Sequence, residues 1–369
     1  MKKPGLLLAL LLCFLFAFPV CAAQDELDAA AAKTGENLFS LVDGETMETL
    51  EDFGLTDFSA TQVFDVSWRS IRAFFSGTLR QSLQNQSRSF AGSLALLLLL
   101  VCVRTLIPKN DGADAFGLVS LCAVTAVTAA SLHTFVSAAA AVLKTAAVFM
   151  QGFMPVYAGL LAFSGRPGAA LSYQTLCFAL AQGISLFAAN WCVPLLGLFF
   201  CLSVSFSLNE TVNTPAFLGA VNKVSGVVLG LLSGAFSGVL SFRQVIAGAA
   251  DSAAGKSVRF LLGSLVPVVG SAVSDAYSAV LGSIDLIKGS AVVFAFLVLL
   301  VLHLPVLLQL LLGRIGCGVL SSLASMLGEK RLSVLYSAFA CGVRLLLLLV
   351  FFECFLLLIT TGLTLQLQR

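Results

Sequence analysis

The chain has 369 residues, of which 59% are apolar and only 11% charged, and its mean hydropathy is +1.00. That composition excludes a water-soluble globular domain, because a chain this apolar needs lipid as its solvent. The formal net charge is only +2, and no basic stripe interleaved with aromatics speaks for nucleic acid.

In chain order, residues 1–23 begin with Lys2 and Lys3, continue through an apolar stretch to Phe18, break at Pro19 and end on Cys21, Ala22 and Ala23. This is the pattern of a cleavable secretory signal peptide. Val20 directly before Cys21 argues against a lipoprotein, which needs a small residue there. Residues 24–88 are then expected outside the cytoplasm as a small helical region. Its first part is acidic: residues 25–65 hold eleven carboxylates against one base, Lys33. In its second part Phe64, Trp68, Ile71, Phe75, Leu79 and Leu83 recur at three- or four-residue steps, which puts them on one helix face. That face either packs on its own domain or lies in the membrane interface, with Trp68 and the neighbouring arginines at headgroup level.

Residues 89–369 read as a multi-pass transmembrane domain. Apolar runs fall at about 90–107, 115–142, 145–164, 169–206, 224–241, 258–281, 289–312 and 334–361, each close to the ~20 residues that cross a bilayer. The fold class is therefore all-α, a polytopic helical membrane protein with about eight spans. The run 169–206, with Pro194 in its middle, is long enough for two short helices. With the N-terminus outside, Arg104 and Lys109, then Arg166, then Arg243, Lys256 and Arg259 follow successive inward crossings, as basic residues on the cytoplasmic side require. The run 258–281 is interrupted by Pro267 and Gly270; if it spans, Arg314, Lys330 and Arg331 also fall in the cytoplasm.

Four features carry the functional candidates. Gly226, Gly230, Gly234 and Gly238 repeat every four residues, so one helix face is bare and lets a neighbour approach closely, either within the chain or between subunits of a homo-oligomer. Pro267 and Gly270, followed by Asp275, Asp285 and Lys288, mark a broken helix, a form shared by transporter sites and by plain kinked packing. Pro155 in Phe153-Met154-Pro155-Val156-Tyr157 is a similar break. Glu353 lies deep in the last run, where a carboxyl is costly and hence a functional candidate; Arg344, nine residues away, is on the opposite face of the same helix and cannot pair with it.

Chemistry is otherwise sparse. His133 and His303 stand alone in apolar runs without an H-E-x-x-H pattern, and no phosphate-binding glycine loop with Lys-Ser or Lys-Thr occurs. Eight of the ten cysteines, Cys102, Cys122, Cys177, Cys192, Cys201, Cys317, Cys341 and Cys354, sit in apolar runs with no C-x-x-C spacing, and read as small core residues. The residues thus point to no enzyme, no catalytic or metal site and no cofactor, and leave a secondary transporter for a small solute or ion as the alternative to a structural or channel subunit.

The leader, the acidic helical segment, the polytopic core, the stretch 257–276 (SVRFLLGSLVPVVGSAVSDA), Gly282-Ser283, Leu286-Ile287-Lys288-Gly289 and the segment from Phe153 to Tyr157 together resemble the stage III sporulation protein AE family of endospore-forming bacteria. The resemblance implies a subunit of the transenvelope channel complex between mother cell and forespore, in the mother-cell membrane, needed for late forespore gene expression. It implies as partners the other stage III A sporulation proteins, including an ATPase, and the forespore protein stage II Q.

Overall fold

Within lipid no water is present to satisfy peptide groups, so long runs of Leu, Ala and Val close their hydrogen bonds locally and form helices. The structure, a computed structural model, describes residues 36, 38–55, 63, 66–106, 113–164, 216–228 and 270–366, with isolated positions between 168 and 238. Its helices are α1 (Gly44–Asp52), α2 (Trp68–Leu106), α3 (Ala113–Phe163), α4 (Ala216–Val228), α5 (Gly270–Met326) and α6 (Lys330–Gln366). No strand occurs among the described residues. Stretches long and apolar enough to cross a membrane lie in α2, α3, α5 and α6.

These four helices alternate in direction. One end of the bundle joins Leu97 and Leu100 of α2, Leu121 and Val124 of α3, Leu320 and Ala324 of α5, and Leu335, Tyr336 and Phe339 of α6. The other end joins Phe149, Phe153 and Tyr157 of α3 with Ala291, Phe294 and Val298 of α5 and with Leu38, Leu50 and Phe53 of the acidic segment. The acidic segment is anchored there by side chains: Phe39 meets Phe294 edge-on with centroids 5.3 Å apart, and Phe53 meets Phe74 of α2 at 5.5 Å. Lipid removes the usual hydrophobic drive between helices, so such contacts hold by dispersion and close packing.

The turn between α5 and α6 is set by Gly328, whose φ of +82° is open to glycine at little cost. Gly328 N–H donates to the Ser325 carbonyl at 3.1 Å and Glu329 N–H to that of Ala324 at 2.8 Å, a Schellman closure of α5. Glu329 then accepts from Ser333 N–H at 3.0 Å and starts α6. Arg104, near the end of α2, forms an ion pair with Glu329 and ties α2 to this hairpin.

Two features of the sequence-based topology are corrected. The runs 115–142 and 145–164, expected as separate crossings, are one helix of 51 residues, about 75 Å at 1.5 Å per residue. Likewise the C-terminal part of 258–281 and the run 289–312 belong to one 57-residue helix, so the chain does not reverse between them. Hydropathy divides these runs at Lys144 and at Asp285 to Lys288, yet a helix needs only its own backbone bonds to continue through such residues. As a consequence Ser164, just past the end of α3, lies at the opposite end of the bundle from Arg104. Arg314, Lys330 and Arg331 do lie toward the Arg104 end. Residue 88, the expected edge of the membrane domain, falls inside α2 without a break. Residues 1–23, Pro194, Arg166, Arg243, Lys256, Arg259 and Pro267 lie outside the described residues.

Candidate functional site

Polar groups in so apolar a bundle need a reason, and three places among the described residues gather several of them. The first is between α5 and α6. His303 and Glu353 each lie 23 residues from the hairpin turn, counting back from Met326 and forward from Lys330, so the antiparallel helices bring them level. Their exposures are 1% and 2%, and Nε2 of His303 is 3.5 Å from Oε2 of Glu353. The two atoms are within ion-pair reach but outside hydrogen-bond geometry. Nδ1 lies 2.8 Å from the Leu299 carbonyl, which only accepts, so Nδ1 carries a proton. One further proton between Nε2 and Glu353 leaves the pair neutral overall, the state that burial demands. Sequence reading singled out Glu353 and treated His303 as isolated; equal distance from the Gly328 turn is the signal that would have joined them.

The second place is the end of α3. Lys288 is fully buried, its ammonium 2.5 Å from Asp285 and donating to Ser164 Oγ at 3.0 Å. Ser164 Oγ in turn donates to the Leu161 carbonyl at 2.8 Å. A lysine here also meets the negative end of the α3 dipole, which favours a cation at a helix C-terminus.

The third is a cleft of about 620 Å³ between α1, α2, α3 and α5. From α2 it receives Thr78, Gln81, Ser82, Asn85, Gln86 and Ser89, a polar stripe at helical spacing. Across from them stand Ser131 and Thr134 of α3 and Pro305 and Gln309 of α5, and Asp43 and Glu45 close the α1 side. At its inner end Ser89 Oγ and Ser131 Oγ share a hydrogen bond of 3.0 Å, of a kind that contributes about 0.6 kcal/mol between membrane helices. Phe135 rests there against Gly313, where a Cβ would strike its ring. Sequence reading missed the cleft, although the α2 stripe was visible on the face beside Phe75, Leu79 and Leu83.

The sequence-derived candidates are dispersed. Pro155 is exposed on α3, while its neighbours Phe153 and Tyr157 are buried and stacked at 5.6 Å. Gly270 is the first residue of α5, and Asp275 lies in its opening turns. Neither Pro155 nor Glu353 lines the cleft. Gly226, Gly230, Gly234 and Gly238 are exposed, and a Cβ at each meets nothing within 4 Å, so no contact within the chain is seen on that face among the described residues. No grouping of His, Cys, Asp and Glu suited to a metal occurs among the described residues.

Comparison with known proteins adds the identity of this architecture. The family described as Stage III sporulation protein AE matches residues 87–367, a range that takes in the apolar half of α2 and all of α3, α5 and α6 as far as Gln366. The chain belongs to the stage III sporulation protein AE family. It is a member of a sporulation family rather than of an enzyme family. Over 170 residues it is 23% identical to the Stage III sporulation protein AE of Bacillus subtilis (strain 168), a match covering 46% of this chain and 43% of that relative's own length. No solved structure matches it. Within the family match lie His303, Glu353, Lys288 and the α3 and α5 walls of the cleft, whereas most of the α2 wall and all of α1 precede residue 87.

Proposed function

We propose that this stage III AE-family protein is a non-enzymatic membrane subunit of the transenvelope channel complex between mother cell and forespore, needed for late forespore gene expression. The observation that carries the reading is the family match across residues 87–367, which includes the long apolar helices from the end of α2 onward. In this reading the protein sits in the mother-cell membrane with Arg104, Lys330 and Arg331 toward the cytoplasm, in keeping with the positive-inside rule. Residues 24–88 then face the space between the two membranes, and residues 89–369 form the membrane domain. Energy comes from an ATPase among the other stage III A sporulation proteins, and contact across the gap runs to the forespore protein stage II Q. The exposed face of Gly226, Gly230, Gly234 and Gly238 is the contact with another subunit, since glycine faces draw helices together in lipid.

Deleting the gene in its host tests the reading: engulfment completes while a late forespore-specific reporter stays dark and spore yield falls. Normal reporter activity and yield would remove it. For the glycine face, Gly230→Leu lowers the size of the complex on a native gel, and an unchanged size would assign that face to something other than assembly.

A further inference from the structure

The polar cleft poses a physical problem that its own chain does not solve. Gln81, Asn85, Gln86 and Gln309 each bring donors and acceptors to a space of about 620 Å³. Gln81 and Asn85 are exposed and most of the α2 lining precedes residue 89, so water or a polar solute entering from the intermembrane side meets these groups. Helix α2 is turned inside out at this level: its polar row faces the cleft while Trp68, Phe75 and Leu83 are 70%, 45% and 47% exposed on other sides. Pro305 adds an acceptor, because it has no N–H for the carbonyl of Val301, and both residues border the cleft.

The lining also has a sign. Asp43 and Glu45 stand on its α1 side, and no lysine, arginine or histidine lines it. Such a cleft concentrates cations and repels anions. Asp43, Glu45, Gln81, Asn85 and Thr134 are exposed, so the space is open, and its volume suits a small molecule. At the other end the Ser89–Ser131 hydrogen bond and Phe135 against Gly313 narrow it to a void of about 30 Å³, bordered by the buried Ser93 and Thr128.

The geometry points to a water-filled half-channel that enters beside α1, takes neutral or cationic polar solutes of amino-acid size in preference to anions, and is closed at its inner end by Phe135. It rests on the channel-subunit reading for its biological role, while the access it describes is a property of this chain alone.

The test uses full-length protein in membrane vesicles, its own cysteines replaced, with single cysteines at Asn85, Thr134, Gln309, Thr128 or the exposed apolar Leu99 within the membrane run of α2. The probes are two membrane-impermeant thiosulfonates, one bearing trimethylammonium and one bearing sulfonate. Asn85→Cys, Thr134→Cys and Gln309→Cys react, with a cation-to-anion rate ratio about tenfold above that of a free thiol in solution. Leu99→Cys stays unreactive, and Thr128→Cys reacts only when Phe135→Ala is added. The use of both Thr134 and Gln309 guards against one variant that fails to fold. Cleft cysteines no more reactive than Leu99→Cys would overturn the half-channel, a ratio equal to that of the free thiol would overturn the charge selection, and reactive Thr128→Cys with Phe135 intact would overturn the closure. Unreactive cleft cysteines together with a dark forespore reporter in the deletion strain would sink the half-channel and leave the subunit reading standing; reactive cysteines with a normal reporter would do the reverse.

Discussion

Helix α5 meets two different polar settings on its opposite faces. Toward α6 it is packed side chain to side chain, and the polar groups there come as a matched pair, His303 with Glu353. Toward α1, α2 and α3 it borders the cleft with Leu302, Pro305, Val306 and Gln309, and the polar groups opposite are many and mostly uncharged. A dry helix contact tolerates an ionisable group only when another group accounts for its charge and its proton. A wet contact tolerates a crowd of amides and hydroxyls, because water serves each of them in turn.

That contrast is open to direct challenge by substitution. Its largest expected effect is at the dry face: Glu353→Leu or His303→Leu alone destabilises the protein by about 3–5 kcal/mol, the usual result of breaking a buried pair. The double variant recovers most of the loss, as read by thermal unfolding in detergent. Single variants as stable as the parent would show that water reaches the pair and that the two faces do not differ. Sporulation of a stable double variant separates the roles further, since normal spore yield would make the pair structural only.

A smaller effect belongs to the boundary between the two settings. Gly313→Ala places a methyl group where the Phe135 ring sits, and overpacking of this kind costs about 1–3 kcal/mol. The expected readout is a lower Tm; an unchanged Tm would mean that Phe135 moves aside freely. The smallest effect is at the hairpin end, where Arg104 is half exposed beside Glu329. Arg104→Ala there changes stability by about 0.2–1 kcal/mol, and the change shrinks in high salt. A larger loss would reveal that the α2 end is held by little else.

How much of this was legible beforehand differs from residue to residue. Glu353 stood out because a carboxyl in an apolar run is costly wherever its partner lies. His303 did not, because its role depends on a turn at Gly328 that brings a segment fifty residues later back beside it. Pro155 drew attention as a helix break, yet α3 runs through it from Ala113 to Phe163, and it faces outward while Phe153, Met154 and Tyr157 of its motif are buried. The four spaced glycines were legible as a bare face, and the described residues leave that face uncovered.

Composition and periodicity by themselves determined the all-helical membrane class and the contrast between an acidic segment and a basic end, because these follow from the cost of placing each residue in lipid or water, while the family showed only as a resemblance in particular motifs. Only the tertiary structure decided that α3 and α5 run on through their polar interruptions, that Glu353 meets His303, that Lys288 meets Ser164, and that the polar row of α2 faces Ser131 and Thr134 of α3 and Gln309 of α5 across one cleft. Those outcomes depend on which distant segments come to lie side by side, and local hydropathy carries no record of that.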